Sequence, residues 1–129
     1  MSNDATPKRG EVWLINFHPQ VGHEISKQRP AVVVSVDAIG RLPLRIIVPI
    51  TAWNDRYYAS PWLIRIRPTA ANGLSKDSAA DSFQVKSMST QRFIKRLGML
   101  SKVATDEIAD GVALCTGFSP PPSSTSIGS

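Results

Sequence analysis

The chain has 129 residues, 42% of them hydrophobic, which fits one domain with a packed core; no apolar run approaches the about 20 residues of a membrane-spanning helix, and the opening MSNDATPKRG has no apolar core of a secretory signal. The lone Cys115 excludes an internal disulfide, and one cysteine with two histidines (His18 and His23) falls short of the four-ligand set typical of structural zinc, so a reduced, cytoplasmic setting is expected. The formal net charge of +5 is uneven: residues 1–100 carry 14 Lys/Arg against 7 Asp/Glu, whereas Lys102 faces Asp106, Glu107 and Asp110, a basic body that attracts polyanions such as RNA or DNA.

Residues 12–17 are rich in β-branched and aromatic side chains and predict a strand. A polar loop containing Gly22 follows, from Pro19 to Pro30. Residues 31–36 and 46–50 are continuous apolar runs, expected of strands buried on both faces or closing a barrel. Between them, Gly40 and Pro43 predict a turn over 37–43. In residues 62–67, Trp62, Ile64 and Ile66 alternate with Leu63, Arg65 and Arg67, a half-buried strand with a basic outer face. Asn72-Gly73 predicts a tight turn, residues 83–88 a fifth strand and residues 90–95 a short helix. Ala104, Ile108, Val112 and Cys115 recur on one face of a helix over 101–115, with Ser101 as N-cap and Gly117 as stop. Gly111 weakens that helix by about 1 kcal/mol relative to alanine. Residues 119–129 are rich in Pro and Ser and read as a disordered tail, leaving residues 1–118 as the single domain. Short strands broken by polar turns, without strand–helix–strand units, predict a mainly β (α+β) fold, a small barrel with a C-terminal α-helix.

The loop 22–30 places the imidazole of His23, the carboxylate of Glu24, the ammonium of Lys27 and the guanidinium of Arg29 within nine residues. Pro30 biases Arg29 toward extended backbone at the mouth of an apolar strand. A guanidinium there either pairs with Glu24 or another acid, or donates two parallel hydrogen bonds to a phosphate. Thr51 closes the strand Val48-Pro49-Ile50-Thr51, where its hydroxyl can bond a phosphate oxygen or simply form a turn. An imidazole, with an ordinary pKa of about 6.5, could make His23 an acid or base near neutral pH, although loop histidines are commonly just solvated. Trp53, Tyr57 and Tyr58, with Arg56 between them, either stack bases of single-stranded nucleic acid or cap the barrel end. Asp77 and Asp81 alone are a weak metal signal, and no nucleophile elbow, phosphate loop or paired-histidine motif is present. These residues suit a reaction whose substrate supplies its own nucleophile, as RNA does through its 2′-hydroxyl.

At these residues the sequence resembles the MazF/PemK (Kid-type) toxins of bacterial type II toxin–antitoxin systems. The matching pieces are RGEVWLINFHPQVGHEISKQRPAVVVS at residues 9–35, IVPIT at 47–51, NGLSKDSAADSFQVKSM at 72–88 and KRLGMLS at 95–101. The resemblance implies an SH3-like barrel acting as a homodimer. It implies metal-independent, cofactor-free cleavage of single-stranded RNA, leaving a 2′,3′-cyclic phosphate and a 5′-hydroxyl. It also implies neutralisation by a cognate antitoxin with an acidic disordered segment. By the same resemblance the family's catalytic arginine falls on Arg29, its strand-end threonine on Thr51, and the histidine of its GHE loop on His23, beside Glu24. Lys27, Gln28, Trp53, Arg56, Tyr57, Gln84 and Lys86 are the residues expected to hold RNA. The chain departs from the family at Ala52, where serine is common, and at Asp81 and Phe83, where the Kid-like branch has an arginine and an aspartate before Gln84. The alternatives on this barrel are a non-enzymatic binder like the CcdB relatives, or a catalytically inactive member.

Overall fold

The computed structural model describes residues 6–17 and 27–118. Seven strands and one helix follow in order: β1 (Glu11–Asn16), β2 (Gln28–Val33), β3 (Leu44–Ala52), β4 (Leu63–Ile66), β5 (Ser78–Asp81), β6 (Lys86–Ser89), β7 (Phe93–Met99) and α1 (Lys102–Cys115). All pairings are antiparallel and the strands run β4-β5-β3-β2-β1-β7 across the sheet. β3 is the spine. Its Ile47 pairs Val33 of β2 on one edge and Lys86 of β6 on the other, and its far end pairs β5. Among the described residues β4 and β7 do not pair, so the sheet is barrel-like without closing.

The sheet is buried on both faces, as the unbroken apolar runs predict. On one face, Val12, Val32, Val48 and Ile50 pack with Ile66, Leu100 and Ile108 of α1. On the other, Trp13, Ile15, Ala31, Val33, Ile47 and Met88 form a second cluster, extended by Phe17 and Phe93. The α1 prediction holds in detail. The Ser101 side chain accepts from the Ala104 amide, and Gly117 ends the helix with φ 83°. Ile108 is fully buried, with Ala104 and Val112 packed beside it. Gly111 sits in the helix for a packing reason, since a Cβ there would lie 2.6 Å from Ser82 Oγ.

Two predictions need correction. The segment 83–88 is not one strand. β5 ends at Asp81, a 3₁₀ turn spans Ser82–Gln84, and β6 resumes at Lys86 on the same edge of β3. β5 itself is Ser-Ala-Ala-Asp, a sequence of low β-propensity. It forms because Ala79 and Ala80, both fully buried, fit the packed interior. The predicted helix over 90–95 is only a 3₁₀ turn, Thr90–Arg92, leading into β7. Register shifts between Val12 and Trp13 and between Leu14 and Ile15 break the period-two pattern of β7, which hides it in the sequence.

The Asn72-Gly73 turn is as predicted. Asn72, only 4% exposed, accepts through Oδ1 from the Thr69 and Leu74 amides and donates through Nδ2 to the Arg67 carbonyl. Gly73 takes φ 69°. The Met99 amide then donates to the Ala71 carbonyl at 2.8 Å, docking this turn on the end of β7. No helix among the described residues is long and apolar enough to cross a membrane. The predicted tail 119–129 lies outside the described residues.

Candidate functional site

Arg29 stands on β2 opposite Ile15 of β1, in a register continuing Val12↔Val32 and Trp13↔Ala31. Strand alternation puts it on the face that carries Ala31 and Val33 in the second core cluster. Thr51 stands near the end of β3, opposite Ala79. The two line one cleft of about 260 Å³ together with Pro30, Ala52, Ser75 and Lys76. Arg29 also lines an adjoining cleft of about 180 Å³ with Phe17, Lys27, Pro49, Gln84 and Lys86. The Lys86 ammonium lies 5.6 Å from the centre of the Phe17 ring, within cation–π range. Arg29, Thr51, Lys27, Gln84 and Lys86, far apart in sequence, are thus gathered at two neighbouring hollows.

The lining is cationic and hydroxylic. Arg29 and Lys76 supply charge, Thr51 and Ser75 hydroxyls, and no carboxylate among the described residues lines either cleft. Among the described residues no carboxylate is in ion-pair reach of Arg29. Among the described residues, its five donors are left for an anion to occupy. Such a hollow suits a phosphate and can stabilise negative charge that develops on it. Sequence reasoning missed Ser75, Lys76 and Phe17. Lys76 sits three residues beyond Gly73, and a cation just after a tight turn was the available signal.

Other predicted residues stand elsewhere. Gln28 is exposed on β2 opposite Asn16 and lines neither cleft. Trp53, Arg56 and Tyr57 also line neither. The Trp53 ring meets those of Tyr57 and Tyr58 edge-on, at 5.6 and 5.1 Å between centres, and Arg65 lies 4.8 Å from it. Trp53 Nε1 donates to Asp55 at 2.9 Å, and Arg56 rests 5.9 Å from the Tyr57 ring. Arg65 in turn donates to Asp77 at 2.6 Å and to the Tyr58 hydroxyl. The hydrogen bond from Arg65 holds the Asp77 carboxyl below its ordinary pKa. This cluster lies on the β3–β4 connection, away from the two clefts.

Asp81 is committed to its turn, accepting from the Phe83 amide at 3.2 Å and from Gln84 Nε2 at 2.9 Å. Phe83 is 63% exposed and meets Trp62 edge-on. Asp77 and Asp81 therefore both have partners, and no group of three or more His, Cys, Asp or Glu is placed to hold a metal among the described residues. His23 and Glu24, the predicted proton carriers, lie outside the described residues, as does His18.

Residues 8–115 match the model of a family described as PemK-like, MazF-like toxin of type II toxin–antitoxin system. The chain is 30% identical over 113 residues to the endoribonuclease MazF9 of Mycobacterium tuberculosis, covering 83% of this chain and 93% of that protein. It is 39% identical over 49 residues to the endoribonuclease PemK of Escherichia coli, covering 37% of each. Among solved structures, a MazE–MazF complex of Deinococcus radiodurans aligns with a TM-score of 0.67 and 26% identity, over 88% of this chain and 98% of that one. An endoribonuclease from a mycobacterial species, in complex with its cognate antitoxin, has the same fold, with a TM-score of 0.69 and 17% identity over 90% of this chain and 100% of that one.

Proposed function

The chain belongs to the PemK-like, MazF-like toxin family of type II toxin–antitoxin systems, and from that membership we propose that it is an endoribonuclease that cuts single-stranded RNA without a metal. The observation that carries the reading is the cleft that Arg29, with no carboxylate partner among the described residues, lines together with Thr51. The 2′-hydroxyl of the substrate attacks the adjacent phosphorus and gives its proton to a base. The bond from phosphorus to the 5′-oxygen breaks, and that oxygen takes up a proton. The products are a 2′,3′-cyclic phosphate and a 5′-hydroxyl. Arg29 holds the phosphoryl oxygens through a two-point contact, which strengthens as they gain charge. Thr51 fixes one of those oxygens. Lys27, Gln84 and Lys86, in the adjoining cleft, hold the flanking nucleotide. His23 and Glu24 are the proton carriers that the sequence offers.

The protein acts as a cytoplasmic homodimer and is neutralised by an antitoxin whose acidic, disordered segment folds into the basic cleft. Complexes of structural relatives with their antitoxins support this partner. The experiment is cleavage of a single-stranded RNA by purified protein in excess EDTA, with the ends of the products identified. Cleavage to cyclic phosphate ends is the expected result. An intact RNA in EDTA that is cut once a divalent metal is restored would overturn the metal-free reaction, and no cleavage under either condition would favour the non-enzymatic binder.

Thr51→Val separates chemistry from folding, because it keeps the shape and removes only the hydroxyl. It is expected to slow cleavage about tenfold, the value of one hydrogen bond to a charged group. The melting temperature should move by no more than about 2 °C. Parallel losses of stability and activity would instead make Thr51 structural.

A further inference from the structure

We propose that a third cleft, at the opposite end of β3 from Thr51, is a binding site for a phosphate group, built on Arg45 and Arg41. This cleft, of about 370 Å³, is lined by Thr6, Gly40, Arg41, Arg45 and Thr90, with Pro7, Leu42 and Pro43. Arg45 is its unusual member. It is only 7% exposed, and a charge so far out of water requires a partner.

Its partners are three main-chain carbonyls. Nε donates to the Pro7 carbonyl at 3.0 Å, and Nη1 donates to those of Leu42 and Leu44, both at 2.8 Å. These bonds lock the guanidinium in place and leave the two N–H groups of Nη2 with no acceptor among the described residues. No carboxylate there forms an ion pair with Arg45 or with Arg41, and none lines the cleft. Two guanidiniums, one of them fixed and buried, therefore share a hollow with two threonine hydroxyls. A tetrahedral oxyanion supplies the acceptors that such donors lack, and the preset planar fork of Arg45 lowers the ordering cost of binding it.

Two sources could deliver such a group, free phosphate or the backbone of an RNA. Arg45 and Thr51 are six positions apart on one strand and share its face, so the two clefts are about 20 Å apart along β3. An RNA of several nucleotides can span that distance, and assigning the group to RNA rests on the ribonuclease reading above. The oxyanion chemistry does not rest on it.

The test begins with inorganic phosphate, titrated into protein labelled for arginine side-chain NMR at constant ionic strength. Saturable shifts of the Arg45 Nε–H signal are expected, weakened about tenfold in Arg41→Ala, the usual value of a charge-assisted contact. Arg41 is exposed, so its removal leaves the fold intact even where Arg45→Met does not. Absence of a saturable shift at Arg45 overturns the proposal whether or not the protein cuts RNA. So does the appearance of phosphate binding only in Asp4→Asn, which would mean that the chain's own carboxylate fills the cleft. The source follows from nuclease-resistant 2′-O-methyl RNAs. If the phosphate is part of RNA, Arg41→Ala lowers the salt slope of binding by about one for a long RNA and not for a dinucleotide. Equal slopes for both lengths, with phosphate binding intact, assign the site to free phosphate.

Discussion

Arg29→Ala will cut the rate of RNA cleavage by about 10²–10³-fold, the usual cost of removing one preset donor from a developing oxyanion. The guanidinium lines both neighbouring clefts and has no carboxylate partner among the described residues. Its backbone is fixed by pairing with β1. The side chain itself is exposed, so its removal should change stability by less than about 0.5 kcal/mol. The expected pattern is lost turnover with an unchanged melting curve. Arg29→Lys should recover little, because an ammonium cannot present two parallel donors. Single-turnover cleavage within threefold of the parent in Arg29→Ala would remove this residue from the reaction.

Gly98→Ala will act on the fold instead. The added Cβ would lie 2.3 Å from the Ala71 carbonyl oxygen and 2.5 Å from the Asn72 carbonyl carbon. Both are backbone atoms of the turn held by Asn72, so neither can step aside as a side-chain tip would. Gly73 faces the same crossing from the other side, where a Cβ would meet the Leu97 carbonyl. Overpacking of this kind costs about 3 kcal/mol, and here it also threatens the hydrogen bond from Met99 to Ala71. The melting temperature should fall by about 10 °C or more, measured at fixed protein concentration because any dimerisation shifts it. A loss under about 2 °C would show that the turn moves freely and does not secure the open seam between β4 and β7.

The fold was legible wherever hydrophobic pattern and turn chemistry agreed. The apolar runs of β2 and β3, the Asn72-Gly73 turn and the capped helix α1 all follow from local rules. β5 and β7 did not, for separate reasons. Ala79 and Ala80 are in a strand because the interior has room only for small side chains, which is a property of their neighbours. β7 is broken by register shifts against β1, which its own sequence does not mark. The site divides in the same way. Arg29 and Thr51 stood out because each adjoins an apolar strand. Lys76 did not, since only the pairing of β3 with β5 carries its segment to Thr51. The contacts of the aromatic cluster around Trp53 were not legible either, because Arg65 and Asp77, which join it, are distant in sequence.

The placement of the site on the neighbouring strands β2 and β3 bears on how such a protein can be controlled. Midway along β3, Ile47 is paired on both edges, and Ile47, Val48 and Ile50 are buried in the two core clusters. Segments of that kind open only when the whole domain unfolds. The backbones that carry Arg29 and Thr51 lead directly into that segment, so a mild stress or a small effector is not expected to melt the centre of the sheet that positions them. An off state must then come from outside, by another chain lying over the hollow. Activity would be governed by the lifetime and supply of that cover, so destruction of the cover, rather than any rearrangement of this domain, is what would set the enzyme loose.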